Sequence, residues 1–339
     1  PVSVCVATKK KLNIKPIIQQ TMKRSLLLSK LILLLSLISL PGTAMQAHKI
    51  STLDDTSGAS LITLHTLQEV GAEVNLVIAG ENIHLSGIEL IRTEEQFGEI
   101  IYTYKVLDNN ISISGDVTKL GIDYFNVDQL KLQKASTITE LSCNSNPLES
   151  LDVASCTSLQ VLECGSCHLS HLDLSQTPAL TYLDCSNNSL TELDLSNNAK
   201  LETLSVQQNG LTAIDLSALQ DLTYLIISKN ALGTLDLSKN LKLKNLQADE
   251  IGLTRIDLSA NKQLELLHLA QNKLQTFSLE SLTLKELYIN DNNLTSLELK
   301  SPSLELLCAY ANQLADIDLT NLPNLNTISL HSNTLSAID

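Results

Sequence analysis

One leucine recurs every 21 residues through about two thirds of this chain. Leu120, Leu141, Leu162, Leu183, Leu204, Leu225, Leu246 and Leu267 keep that spacing; Leu287 and Leu307 follow at 20, and Ile328 at 21. Eleven short units in one register leave few folds open. A unit of this size cannot enclose its own apolar side chains, so only a stack, each unit covering the next, is stable. Composition agrees. Leucine supplies 70 of 339 residues against 10 aromatics, as expected of one small layer packed repeatedly.

The remaining positions hold register. Two residues after the leading position comes Ile122, Cys143, Cys164, Cys185, Val206, Ile227, Ala248, Leu269, Ile289, Ala309 or Leu330. Five after comes Asn146, Asn188, Asn209, Asn230, Asn272, Asn292, Asn312 or Asn333. Ten to thirteen after, the chain reads Leu-Asp-Leu-Ser, as in Leu193-Asp194-Leu195-Ser196. Leu-x-Leu alternation predicts a short strand with both leucines inward. Successive strands then stack as one parallel sheet about 4.8 Å apart, an arc of roughly 50 Å. A buried asparagine donates and accepts, so a column of them satisfies the turn's backbone groups. Asn209 belongs to that column, whereas Asn198 is expected in the variable loop. Phe125, Cys167 and Ile251 replace the asparagine. Phe125 falls in an atypical first unit, cysteine is a usual substitute, and Ile251 predicts a local irregularity.

Phrases such as Tyr182-Leu-Asp-Cys-Ser-Asn-Asn-Ser-Leu-Thr-Glu-Leu-Asp-Leu-Ser196 resemble the leucine-rich repeats of bacterial secreted and cell-surface proteins, broadly internalin-like. The resemblance covers 118–339. It implies a curved solenoid with a parallel sheet on its concave face and a mostly irregular or short-helical convex side. It also implies a surface or secreted binding module, with adhesion to host or neighbouring cells among the roles of such proteins.

The formal charge is −14, from 23 basic and 37 acidic residues. Seven of the basic residues lie in 1–47, which holds no acid, so the rest carries 16 against 37, a net −21. That surface disfavours nucleic acid and anionic membrane, both of which need basic partners.

The first 47 residues read as an address. Met22-Lys23-Arg24 opens a basic start, Ser25 to Leu40 is apolar, and Pro41-Gly42-Thr43-Ala44 supplies small residues for cleavage. This is the order of a secretory signal peptide over 22–47, cut after Ala44 or Ala47. Residues 1–21 read as a mis-called upstream extension, with an extended basic region as the alternative. Cleavage places the protein outside the cell or on its surface. The run is too short to span a membrane comfortably, so no span is expected after leader removal.

Residues 48–117 predict a small β-rich cap over the open end of the stack. Ser60–Thr66, Glu73–Ala79, Ile100–Leu107 and Ile111–Ser114 are strand-like. Gly71-Ala72, Gly80-Glu81-Asn82 and Asp108-Asn109-Asn110 read as turns. At the other end the last repeat is cut short at Ile338-Asp339, which suggests a longer natural chain or a broken reading frame.

Several constellations suggest chemistry. Cys164-Gly-Ser-Cys167-His168 matches a haem-attachment pattern. Both cysteines occupy inward positions, however, so packed thiols are the expected reading, as for the column Cys143, Cys164 and Cys185. Cys308 should face outward. The column Asp152, Asp173, Asp194, Asp215, Asp236, Asp257 and Asp318, with Glu298 and Asp339 in register, could suggest calcium. Leucines on both sides deny the six to eight oxygens that ion needs, so these aspartates are expected to cap their own turns. No catalytic set, metal site or cofactor motif emerges, and the chain is expected to be no enzyme.

Outward strand residues stand one before, one after and three after each leading leucine. Four of seven tyrosines fall there. The candidate binding set is Tyr182, Asp184, Tyr224, Ile226, Asp249, His268, Tyr288 and Tyr310. Tyrosines combine contact area with a polar tip. Two readings remain: a protein partner docked on the concave face, or a glycan-binding or structural envelope component using tyrosines to stack on sugars. Tyrosines spread along the arc favour the first, a tight pocket the second.

Overall fold

The computed structural model of the protein describes residues 59–96 and 99–336. The leader, its cleavage site, the first residues of the cap segment and Asp339 lie outside them. The strands before the regular repeats are β1 (Ser60–Thr66), β2 (Glu73–Ser86), β3 (Ile88–Gln96), β4 (Glu99–Val106), β5 (Asn110–Gly121) and β6 (Val127–Gln133). The repeats then add β7 (Glu140–Ser142), β8 (Val161–Glu163), β9 (Tyr182–Asp184), β10 (Thr203–Ser205), β11 (Tyr224–Ile226), β12 (Asn245–Gln247) and β13 (Leu266–His268). They end with β14 (Thr276–Glu280), β15 (Glu286–Tyr288), β16 (Ser296–Lys300), β17 (Leu306–Cys308) and β18 (Thr327–Ser329).

One sheet runs β18-β17-β15-β13-β12-β11-β10-β9-β8-β7-β5-β2-β4-β3, with β1 and β6 attached through β5. From β5 to β18 every pairing is parallel and joins leading residue to leading residue, as in Leu120↔Leu141 and Leu204↔Leu225. The leading leucines from Leu120 to Leu307 are fully buried. Ile328, with no further described layer over it, is 43% exposed. Its exposure shows that burial comes from the neighbouring repeat rather than from the repeat itself.

The asparagine column forms as its spacing predicts. Asn209 Nδ2 donates to the carbonyls of Val206 in its own repeat and Cys185 in the one before, and its Oδ1 accepts from Leu190 N. Each such carbonyl typically receives two amides; Cys185 O takes both Asn188 and Asn209. That redundancy explains why Ile251 is tolerated, since Ile227 O keeps Asn230 and Ala248 O keeps Asn272. The irregularity expected at Ile251 appears as left-handed backbone at Gly252 (φ 80°) and at Gly233 (φ 67°) in the repeat before. Cys167 has the same effect, with His168 (φ 59°) and Glu149 (φ 58°).

Every repeat also bends at the residue four after its leading position. From Tyr124 to Ser332, all eleven are non-glycine with φ between 51° and 59°. Left-handed backbone costs such residues about 1 kcal/mol each. The bend aims the amide at the next layer, as in Gln208 N donating to Ser228 O at 2.8 Å.

Asn198 corrects the sequence reading. It is fully buried, not in a variable loop, and donates to Leu174 O and Thr177 O. It belongs to a second inward column six residues before the leading position, which includes Cys156, Thr177, Leu219, Asn240, Asn261 and Ser281, all buried. The Oδ1 atoms of Asn198, Asn240 and Asn261 are buried without a donor.

The convex limb takes the irregular of its two expected forms. No described residue is helical, and so no helix there is long and apolar enough to cross a membrane. The limb is made of turns. Asp194 Oδ1 accepts Ser196 N at 2.9 Å, and Asp152, Asp173, Asp215, Asp236, Asp257 and Asp318 accept the amide two residues on in the same way. A side-chain turn of this kind replaces a helical one at no steric cost. The two 20-residue repeats carry Ser278 and Glu298 there instead, and their limbs straighten into the parallel pair β14–β16.

Ahead of the repeats, β1 and β4 follow the expected strands closely, while β5 extends the expected Ile111–Ser114 to Asn110–Gly121. Gly80-Glu81-Asn82, expected as a turn, is instead a bulge inside β2. A Cβ at Gly80 would lie 2.2 Å from Asp116 O, so only glycine permits that approach. β3 was not anticipated; its run Ile88-Glu-Leu-Ile-Arg-Thr-Glu-Glu-Gln96 lacks clean alternation because a register shift falls between Leu90 and Arg92. β5 runs unbroken across position 118, pairing with β2 on one side and β7 on the other.

Candidate binding face

The three outward rows of the parallel sheet are set by the same alternation that buries the leucines. From β8 to β18 these rows hold no lysine or arginine, but they include Glu163, Asp184, Asp249 and Glu286. The open face is therefore acidic by position and not merely by composition.

Three of the anticipated residues meet directly. Asp249 follows β12, and His268 and Tyr288 lie on β13 and β15. His268 Nδ1 stands 3.6 Å from Asp249 Oδ2. The His268 and Tyr288 rings are 4.2 Å apart, tilted by 33°. Asp249 is fixed in turn, its Oδ1 accepting Ala270 N at 2.7 Å. Tyr288 donates its hydroxyl to Glu286 Oε2 at 3.1 Å. Burial, and then the Glu286 charge, raise the Tyr288 phenol well above its usual range. The Nε2 of His268 is buried and meets no partner.

Tyr310 stands apart from that trio and stacks on His331, centroids 4.6 Å apart and planes within 11°. Ser329 Oγ lies 3.1 Å from His331 Nδ1. His331 was visible in the sequence as a face residue; its partnership with Tyr310 follows from both lying three after a leading position, one repeat apart.

Tyr182, Asp184, Tyr224 and Ile226 lie nearer the start of the stack. Tyr182 and Tyr224 are half-buried and flank Thr203, which pairs with both. Burial raises the Tyr182 phenol strongly, and Glu163 and Asp184 add to it. Tyr224 is raised by burial and then by Glu265. Beside them is a polar group that the sequence did not single out. Asp123 Oδ1 accepts Ser142 Oγ at 2.6 Å and Asn144 N at 2.7 Å. The Glu163 carboxyl lies above its usual range, chiefly through burial and further through Asp123 and Asp184. Asp123 could have been found by extending the outward rows to the first, atypical repeat.

The cysteines behave as packed thiols. Cys143, Cys164, Cys167 and Cys185 are fully buried, and Cys308 is half-exposed on the outward side. Burial pushes the Cys308 thiol up to about 11. A recess of about 610 Å³ opens on the convex limb between His171, Asp173, Glu192, Asp194, Ile214 and Asp215. Its aspartates are already engaged in their own turns.

No family model matches the chain, and no curated protein does either. Solved structures do. The leucine-rich effector protein YopM from Yersinia pestis is similar over 65% of this chain and 68% of its own, at 22% identity and a TM-score of 0.52. The functional domain of InlJ from Listeria monocytogenes, which includes a cysteine ladder, matches over 69% and 68% at 23% identity with a TM-score of 0.43. YopM from Yersinia enterocolitica matches over 60% and 52% at 23% identity with a TM-score of 0.46. At these identities the likeness is one of fold, and the fold is the leucine-rich repeat solenoid.

Proposed function

We propose that this chain is an exported, non-enzymatic interaction module that binds a protein partner on the open face of its sheet, in a role such as adhesion to a host or neighbouring cell. The observation that carries this reading is the spread of the face tyrosines. They stand on β9 and β11, on β15, and just after β17, a span of roughly 30 Å at one strand spacing per repeat. A sugar-binding pocket gathers its aromatics; a protein interface distributes them. Ile226, Leu266 and Leu306 add apolar contact between the acidic residues, so the complement is an apolar patch with basic surroundings. The docking centre is Tyr224, Asp249, His268, Tyr288 and Tyr310. Export rests on the basic, apolar and small-residue order of 22–47.

The test begins with a binding protein recovered by affinity capture on the chain. Tyr288→Ala and Tyr310→Ala should each weaken it about tenfold, and Asp236→Ala, on the convex limb, should leave it unchanged. A partner indifferent to both tyrosines places the interface elsewhere.

A further inference from the structure

We infer that the gap between Tyr182 and Tyr224, floored by Thr203, seats an arginine side chain of the partner. This rests on the open-face reading and adds the partner's chemistry to it.

Thr203 pairs with Tyr182 on one side and Tyr224 on the other. The two tyrosines therefore occupy one outward row, two strand spacings apart, about 9.6 Å. Carbon atoms pack at about 3.5–4.0 Å, so that spacing leaves room for one flat group between the two tyrosines, over a side chain small enough to admit it. The other two face tyrosines are already engaged: Tyr288 holds His268 and Tyr310 holds His331. Among the described residues, Tyr182 and Tyr224 stack on no ring.

Charge selects the occupant. Asp184 on β9 borders the gap, with Glu163 one strand beyond it on β8, and the outward rows hold no lysine or arginine from β8 onward. A guanidinium is flat and charged, stacks on aromatic faces and meets a carboxylate with two parallel donors. A lysine gains only the charge attraction, and a sugar or aromatic ring only the stacking.

The probes are a capped peptide of alternating arginine and serine, the same peptide with lysine, and maltohexaose, titrated calorimetrically at physiological ionic strength. The arginine peptide should bind roughly tenfold tighter than the lysine peptide. Tyr182→Ala, Tyr224→Ala and a gap-filling Thr203→Tyr should each abolish that preference, while Tyr182→Phe, which keeps the ring, retains it. Unchanged thermal melts establish that the variants fold. Equal affinity for both peptides, unaffected by Thr203→Tyr, would overturn the inference and reduce the face to a general attraction for cations. Maltohexaose binding that Thr203→Tyr removes, with no arginine preference, would overturn it in favour of a sugar. Loss of the captured protein on Tyr288→Ala without any arginine preference would leave the open-face reading standing and remove this one alone.

Discussion

Cys167 points its thiol at the main-chain carbonyl of Cys143, 3.0 Å away, in the place where most repeats put an asparagine amide. A thiol is a weaker donor than an amide, and it offers nothing like Oδ1 to the next backbone N–H. The preceding turn shows the consequence. Leu148 N turns back to Asn146 O, and Glu149, forced into left-handed backbone, donates to Cys167 O.

Cys167→Asn should therefore stabilise the protein. The new amide would reach Cys143 O and Cys164 O, and its oxygen would accept Leu148 N, as Asn209 does one repeat pair further on. The expected gain is about 1 kcal/mol, read as a higher denaturant midpoint with unchanged slope. A lower midpoint would mean that the Cys143–Cys167 contact packs better than the ladder it interrupts.

The two asparagine columns predict comparable losses. Asn198→Leu removes donors to Leu174 O and Thr177 O, and Asn209→Leu removes donors to Cys185 O and Val206 O. Leucine is sterically at home in the column of Asn198, where Leu219 already sits, and isoleucine in that of Asn209, at Ile251. Each substitution should cost about 1–3 kcal/mol, whereas Asn293→Leu, on the exposed side of its turn, should cost little. Urea midpoints of the three variants check this. A neutral Asn198→Leu would show that the second column is filled rather than held by hydrogen bonds.

Two carboxyls should respond to pH with opposite signs. Burial holds the folded-state Glu163 above its usual range. Its contribution is present in acid and lost as pH rises through that value, so Glu163→Gln should stabilise at neutral pH and be neutral below about pH 4. Asp194 is held below its usual range by the Ser196 amide and then by the Ser196 hydroxyl. Its contribution is present above about pH 4 and lost as pH falls through the lowered value. Asp194→Asn should therefore weaken the protein slightly at neutral pH and leave it unchanged in strong acid. Stability–pH curves of the two variants should diverge from the parent on opposite sides; parallel curves would rule out both assignments.

Much of this molecule was legible because 21-residue spacing and two-residue alternation are properties of the chain itself. They assign each leading leucine to the interior and each neighbour to the face, and they place the asparagine column and the aspartate turns without coordinates. The binding face was legible as a set of positions, Tyr182 and Tyr224 on one row, Tyr288 on another and Tyr310 on a third. Row sharing makes His268 and Tyr288 neighbours, but how the side chains meet, and that Asp249 on another row joins them, was not legible. His268 chooses Tyr288 and Asp249 through side-chain rotamers across neighbouring strands, and spacing carries no information about rotamers.

The sequence by itself determined the repeat, its register and its inward and outward rows, because a period repeated eleven times admits one stacking. Only the tertiary structure decided the second buried column. Its positions hold Cys156, Thr177, Asn198, Leu219, Asn240, Asn261 and Ser281 in turn, so no one residue type runs through it as leucine and asparagine run through the columns read from the sequence. What those side chains share is the space left where one convex turn closes on the next, and that space exists only once the layers are stacked.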